Sequence, residues 1–595
     1  MSVQGDQQRV VGGQGFMSMI NITIDGKAIQ VEEGTTVLEA ARSAGIDIPT
    51  LCYLKEINEI GACRMCVVEV KGARALQAAC VYPVAEGNEI FTSSPAVRAA
   101  RRSTLELLLS NHKKECLTCI RNRNCELQTL SEELNITDIE FEGEMCDLPI
   151  DDSSPSIVRE PQKCILCRRC VAACGNLQQI HVIDAINRGF NTAIGPAFDR
   201  KLGDAACVNC GQCVIACPVG ALHEKSAIDQ VWDAINDPDK VVLVQTAPAV
   251  RAAIGEEFGM PIGTAATGQM VGAMLRMGFD KVFDTDTSAD LTILEEGTEL
   301  LQRIQNGGTL PLITSCSPGW IKFAEHYYPD LLGHLSSCKS PHEMFGAVLK
   351  TYYAEETGID PAKIVNVSVM PCTAKKFECQ RPELSDSGYQ DVDYVLTTRE
   401  LARMIKECGI NFQECDGEFE YPFGPASGAA VIFGATGGVM EAALRTVADI
   451  LTGQNLEEIE YTDVRGVQGV KEAAVEINGQ TIKVAVAHGI ANARIVLDKI
   501  RAGEADWHFI EIMACPGGCV NGGGQPIQPA RVKNWIDLRA ERAKALYDED
   551  RRLPIRKSHH NESVMKGIYE GYIGEPGSER AHKLLHTTYT PREKF

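Results

Sequence analysis

Two runs of the form C-x2-C-x2-C-x3-C, CILCRRCVAAC from Cys164 to Cys174 and CVNCGQCVIAC from Cys207 to Cys217, constrain this chain more than any other feature. An iron–sulfur cluster needs four thiolates converging on one inorganic core. Closely spaced cysteines wrap that core and a distant one closes the site. The chain holds 24 cysteines in 595 residues, most of them in such tight groups. Unrelated cysteine knuckles and a disulfide framework are the competing readings. Disulfide frameworks suit short secreted domains. This chain is long and acidic, and its start, MSVQGDQQRVVGGQGF, lacks the charged head and apolar core of a secretory signal.

The length allows several domains and at least one large core. A formal net charge of −22 argues against non-specific nucleic-acid binding and gives no support for a basic membrane patch. No uninterrupted apolar stretch is long enough to cross a bilayer. Neither nucleic acid nor membrane is an expected partner, and the expected location is cytoplasmic.

An α+β multidomain chain is expected. Residues 1–18 read as a disordered extension. In 19–95, INITIDG and KAIQV read as two strands around an Asp25-Gly26 turn. Residues 36–44 carry apolar positions at helical spacing behind Thr35 or Thr36 as a cap. Residues 96–137 form a second unit, with RRSTLELLLSNH as an amphipathic helix. Residues 155–225 hold the two cysteine runs. Over 238–530, VVLVQTAP, KVFDTD, LPLITSC, IVNVSVMPC and HFIEIMAC alternate with helical stretches, the pattern of an α/β region whose strand ends deliver cysteines. Residues 531–595 are charged and mostly helical.

Cys52, Cys63, Cys66 and Cys80 form C-x10-C-x2-C-x13-C, a ligand set for a 2Fe–2S cluster, with structural zinc as the alternative. His112, Cys116, Cys119 and Cys125 form H-x3-C-x2-C-x5-C. Zinc and a 4Fe–4S cluster both accept that set, and a position between redox modules favours iron. In a two-cluster ferredoxin the fourth cysteine of each run serves the other cluster. That rule pairs Cys164, Cys167, Cys170 and Cys217 in one 4Fe–4S site, and Cys174, Cys207, Cys210 and Cys213 in a second. The first segment resembles a plant-ferredoxin-like β-grasp domain, although its spacing is closer to the front 2Fe–2S site of respiratory complex I and of modular hydrogenases. Those families also carry a His-ligated 4Fe–4S cluster. Four clusters in line imply a wire to a distant electron partner.

Three further motifs, TSCSPGW from Thr314, MPCTAKKFE from Met370 and EIMACPGGCVNGGGQP from Glu511, together resemble the signature segments of FeFe-hydrogenases. The resemblance covers nearly the whole chain and implies reversible H2 oxidation, 2 H+ + 2 e− ⇌ H2, at an H-cluster. That cofactor is a 4Fe–4S cube joined to a two-iron site bearing CO, cyanide and azadithiolate. By position, Cys372, Cys515 and Cys519 match cube ligands. The commoner pattern is TSCCP, in which the first cysteine relays protons and the second ligates the cube; here the pair is Cys316-Ser317. Either Ser317 ligates as an alkoxide, or Cys316 shifts into the ligand role, or the cube is altered. Lys375 matches a donor to cyanide, Met370 and Met513 match packing around the two-iron site, and Ala247 and Pro248 match the first wall of its pocket. Ala249 stands where the family often has Ser.

Glu296, Glu299 and Ser336 match the family's proton path to Cys316, with Arg303 orienting the outermost carboxylate. Glu296 and Glu299, three apart, share a face if helical. Cys146, Cys338, Cys379, Cys408 and Cys415 match no ligand and read as core or free thiols. No G-x-G-x-x-G fingerprint is present, so NAD(P) would bind a flavin- and iron–sulfur-containing partner subunit. Ferredoxin is a second expected partner, as in a bifurcating complex, and maturation proteins must assemble the cofactor. An H2 sensor and a complex I-like electron-transfer subunit without hydrogen chemistry are the rival readings.

Overall fold

The computed structural model describes residues 18–455, 460–466, 468–477, 479–562 and 564–594. The extension expected over residues 1–18 lies, but for Ser18, outside them. The chain divides into two compact units, Met1–Lys114 with Glu126–Met145, and Glu115–Cys125 with Cys146–Phe595.

In the first unit, β1 (Met19–Ile24) and β2 (Lys27–Glu32) pair antiparallel. Asp25 and Gly26 both adopt positive φ at the turn, the conformation a two-residue hairpin requires. With β3 (Val67–Val70), β4 (Gln77–Ala78) and β5 (Glu89–Phe91) they form a five-stranded sheet of order β2-β1-β5-β3-β4. The helix Val37–Ser43 starts at Thr36, whose hydroxyl accepts from Glu39 N while Glu39 accepts from Thr36 N, a reciprocal cap. The helix Pro95–Ser110 begins with Ser94 as cap and proline in its first turn, where a missing N–H costs nothing.

The second unit opens with β6 (Ile157–Arg159), the hairpin β7 (Asp184–Ile186) and β8 (Ala193–Gly195), and β9 (Leu222–Glu224), which pairs with β6. There follow β10 (Val241–Thr246), β11 (Lys281–Asp284), β12 (Leu312–Ile313), β13 (Ile364–Met370), β14 (Tyr394–Thr397), β15 (Val470–Ile477), β16 (Gln480–His488) and β17 (Phe509–Met513). They build two four-stranded sheets, β11-β10-β13-β14 and β12-β17-β16-β15. All pairs are parallel except β15 with β16. Strands such as IVNVSVM are buried along their whole length, as helix-covered parallel sheets require. The helix Asp286–Asn306 packs against the helices Pro341–Val348 and Gly438–Thr452.

Glu115–Cys125 packs with the second unit, where Arg121 donates to Cys217 O at 3.1 Å. No helix among the described residues is long and apolar enough to cross a membrane. None of the 24 cysteines, all among the described residues, is joined in a disulfide. Cys338, Cys379 and Cys415 lie in apolar cores, whereas Cys408 is exposed.

Candidate functional site

Four strands aim their carboxyl ends at one cavity, the position at which open α/β sheets present ligands. β10 runs into Ala247 and Pro248, and β12 into Cys316 and Ser317. β13 ends on Met370 and delivers Cys372 and Lys375; β17 ends on Met513 and delivers Cys515 and Cys519. All of these residues line the cavity. Its wall is otherwise mostly apolar. Burial drives the Cys316 and Cys515 thiols well above their ordinary pKa, lifts Cys372, and takes Cys519 to about 12. The Cys372 charge adds to burial at both Cys515 and Cys519. Neighbouring thiols in so dry a place keep their protons unless a cationic centre joins them.

Lys375 carries the one ammonium on this wall. Burial alone would lower its pKa, but the Glu378 carboxylate, 2.6 Å away, reverses the sign. Burial would raise Glu378; Lys375 and His342 instead hold it at about 2. His342 Nε2 lies 2.7 Å from Glu378 and its Nδ1 lies 3.0 Å from Ser368 Oγ. Lys375 also donates to Cys316 O at 3.3 Å. The ammonium is therefore fixed over the cavity by a buried network.

Glu296 and Glu299 lie on the helix Asp286–Asn306. Glu296 is buried and accepts from Ser315 N, one residue before Cys316, at 3.3 Å. Burial, opposed by a hydrogen bond from Ser336 and reinforced by Glu299, pushes its carboxyl to about 7. Glu299 accepts from Ser336 Oγ at 3.4 Å and from Ser337 N and Oγ, each at 3.0 Å. Arg303 pairs with its other oxygen at 2.5 Å. Arg303, Glu299 and Ser336 thus form a hydrogen-bonded file, and Glu296, near enough to Ser336 and Glu299 for both to act on its pKa, stands beside Cys316.

Cys164, Cys167, Cys170 and Cys217 line a second cavity. Cys210, Cys207 and Cys174 lie close enough to Cys213 to raise its pKa on top of burial. Cys210 also lines the catalytic-side cavity, and its carbonyl lies 3.9 Å from Cys515 Sγ. Gly211 permits this approach: a Cβ there would stand 2.8 Å from Gly523 Cα. In the first unit Cys66 Sγ and Cys80 Sγ are 3.4 Å apart, and Cys63 N donates to Cys52 Sγ at 3.5 Å. His112 is buried just beyond the helix Pro95–Ser110 of that unit. Cys116, Cys119 and Cys125 belong to the second unit, where Cys119 Sγ would meet a Cβ on Gly220 at 2.7 Å.

Known families match the chain segment by segment. A 2Fe-2S iron-sulfur cluster binding domain matches residues 17–95, an NADH-ubiquinone oxidoreductase-G iron-sulfur binding region 101–140, and a 4Fe-4S dicluster domain 163–221. The iron only hydrogenase large subunit, C-terminal domain, matches 240–523, and the iron hydrogenase small subunit 536–592. The NADP-reducing hydrogenase subunit HndD of Solidesulfovibrio fructosivorans is 50% identical over 591 residues, 97% of this chain and 100% of its own. Iron hydrogenase 1 of Clostridium pasteurianum is 45% identical over 579 residues, 96% of this chain and 100% of its own. An apo FeFe-hydrogenase structure from Chlamydomonas reinhardtii superposes with TM-score 0.55 at 41% identity, covering 62% of this chain and 100% of that one. The chain belongs to the FeFe-hydrogenase large-subunit family.

It is an iron hydrogenase, equipped with 2Fe–2S and 4Fe–4S clusters and an H-cluster. The hydrogenase's cavity fits an iron–sulfur core. Its sulfurs are soft donors, and backbone without side chains surrounds them. A Cβ on Gly522 would fall 2.1 Å from Pro371 O, and Gly518 holds φ +93°. The hydrogenase also lines this cavity with Phe433, Gly434 and His342, which sequence reasoning missed. The glycine-rich FGATGG stretch around Phe433 was a usable signal; nothing local marks His342.

Proposed function

We propose that this hydrogenase interconverts H2 with protons and electrons at an H-cluster seated in this cavity, and exchanges those electrons with a flavin- and NAD(P)-binding partner subunit, with ferredoxin as a second carrier. The observation that carries the reading is the convergence of Cys372, Cys515, Cys519 and Lys375 on one dry cavity that also touches Cys210. The H-cluster supplies the redox-active iron at which H2 is made and split. Cys372, Cys515 and Cys519 hold the cube. Ser317 occupies the fourth position, with its hydroxyl oxygen accepting from Ala514 N at 3.1 Å beside Cys515. Cys316 remains the proton-relay thiol, a role supported by the charge coupling between its thiol and Glu296.

Protons move from Glu299, which Arg303 orients, through Ser336 to Glu296 and then to Cys316. A group poised near neutrality takes and gives protons with little driving force lost, and Glu296, at about 7, is such a group. Lys375 places positive charge where an anionic ligand such as cyanide would sit. Met370, Met513, Ala247 and Pro248 exclude water around it.

Electrons enter by three 4Fe–4S relay clusters and one 2Fe–2S cluster. Cys52, Cys63, Cys66 and Cys80 hold the 2Fe–2S cluster in a β-grasp domain, a reading supported by the mixed sheet and the capped helix Val37–Ser43. His112 with Cys116, Cys119 and Cys125 holds the next cluster, supported by their spacing and the matched oxidoreductase region. The two ferredoxin-type sets complete the wire, in the pairing given by their neighbours. The relative's name, an NADP-reducing hydrogenase subunit, supports a cytoplasmic multisubunit setting. The test is infrared spectroscopy of protein loaded by maturation enzymes, together with H2-dependent NADP+ reduction by the reconstituted complex. Absence of metal-bound CO and cyanide bands would reduce the chain to an electron-transfer subunit. Bands with turnover orders of magnitude low would favour the H2 sensor.

A further inference from the structure

Two buried glutamines of the ferredoxin-type region reach across to the cube side of the cavity. Gln178, fully buried, fixes its amide by accepting from Ile490 N at 2.7 Å through Oε1. Its Nε2 therefore faces Ala514 O, to which it donates at 2.9 Å, and the Cys210 sulfur, to which the side chain also hydrogen-bonds. Gln212 is 2% exposed and stands between Cys210 and Cys213 in the chain. Its Nε2 donates to Asn521 O at 3.0 Å, and its side chain hydrogen-bonds the Cys515 sulfur. The backbone N–H of Gln212 serves the Cys210 sulfur. A glutamine amide has two N–H donors; here one holds a carbonyl of the loop 514–521 and the other meets a sulfur. Holding the loop needs only the carbonyl bonds. Burial raises both the Cys210 and the Cys515 thiols, and the two amides act in the opposite direction. Cys210 O stands 3.9 Å from Cys515 Sγ, so Gln212 touches both sulfurs where the relay meets the cavity.

We infer that Gln212 is a positioning residue that sets the reduction potential of the cube held by Cys515, and that Gln178 does the same for the relay cluster held by Cys210. The inference rests on the ligand sets proposed above. An N–H aimed at a ligand sulfur stabilises the extra negative charge of the reduced state more than it stabilises the oxidised state, and so raises the potential. In a wall this dry no water competes for the sulfur, and the bond acts at full strength. Each side-chain amide addresses one sulfur. Together they fix the difference between two potentials, which is the driving force of the last electron step. The carbonyl bonds keep the amides in place while the charge beside them changes.

The test compares wild type, Gln212→Met, Gln212→Glu and Gln178→Met as matured holoenzymes in redox titrations. Met fills a similar volume and offers no N–H. Glu keeps the shape and replaces the donor nitrogen by a carboxyl oxygen. Only the H-cluster carries CO and cyanide, so the potential at which those infrared bands interconvert reports the cube side alone. Electron paramagnetic resonance reports the relays. At a fixed potential Gln212→Met should lower the reduced-to-oxidised ratio of the H-cluster about tenfold, a midpoint shift of about 59 mV for a one-electron couple, and leave the relay midpoints in place. Gln178→Met should lower a relay midpoint and leave the infrared midpoint in place. Gln212→Glu should shift the infrared midpoint in the same direction as Gln212→Met, which keeps the test decisive if the methionine variant fails to load. Normal bands with an unchanged midpoint in the Gln212 variants would overturn the assignment. So would lost iron with an unchanged midpoint in the loaded fraction, the mark of a purely structural role, and so would equal infrared shifts in Gln212→Met and Gln178→Met. A wild type without CO and cyanide bands would instead defeat the H-cluster reading beneath the inference.

Discussion

Replacing Glu296 by Gln should separate stability from activity in opposite directions. The side chain is 1% exposed, so solvent does not screen the cost of its charge. Its carboxyl is raised from 4.5 to about 7, and at 1.36 kcal/mol per unit this corresponds to roughly 3 kcal/mol. The sign follows from linkage. Below pH 4.5 both folded and unfolded chains hold the proton and the effect is nil. Between 4.5 and 7 the unfolded chain ionises first, so wild-type stability falls as pH rises. Above 7 the full cost is present. Gln removes the titration, so E296Q should match wild type at pH 4 and exceed it at pH 8 by up to about 3 kcal/mol. At one or two degrees per kcal/mol for a unit this large, the thermal midpoint should rise by roughly 3–6 °C. Turnover should fall by about 10²- to 10⁴-fold, the usual worth of a positioned proton-transfer group. The assay is anaerobic thermal unfolding at pH 4 to 8 beside H2 uptake on the same samples. A pH-independent stability difference would refute the buried-charge argument. Turnover within a factor of two of wild type would remove Glu296 from the path.

Other perturbations test the cavity wall. Ser317→Cys should change the electron paramagnetic resonance signal of the catalytic cube, since thiolate replaces a hard oxygen donor. Cys316→Ser should leave that signal alone and lower turnover about a hundredfold; the reverse pattern would move the ligand role to Cys316. Lys375→Met leaves Glu378 buried without its ammonium partner 2.6 Å away, and should destabilise the unit by about 3–5 kcal/mol and shift the cyanide stretching bands. Gly522→Ala should lower iron content, because its Cβ would strike Pro371 O at 2.1 Å. Normal iron with unchanged infrared bands in that variant would show that the loop relaxes freely.

Much of the local structure was legible. The turn at Asp25-Gly26, the Thr36 cap and the buried run IVNVSVM depend on residues within a few positions of one another, and short-range sterics and periodicity decide them. The same holds for the triplets Cys164-Cys167-Cys170 and Cys207-Cys210-Cys213, whose spacing of three lets one loop wrap a core. The packing of Glu115–Cys125 with the second unit was not legible, because the spacing of these cysteines carries no record of what they pack against.

What the sequence by itself determined is the inventory: which strands exist, which cysteines travel together, and which motifs stand at strand ends. Tertiary structure decided which neighbours share a function. Glu295 and Glu296 are adjacent in sequence, yet a helix turns them about 100° apart. One meets Tyr569 and His586, the other Ser315 beside Cys316. His342 and Phe433 gained places only because distant segments close around the same cavity. A buried charge is set by whatever packs against it, and that is a property of the folded chain.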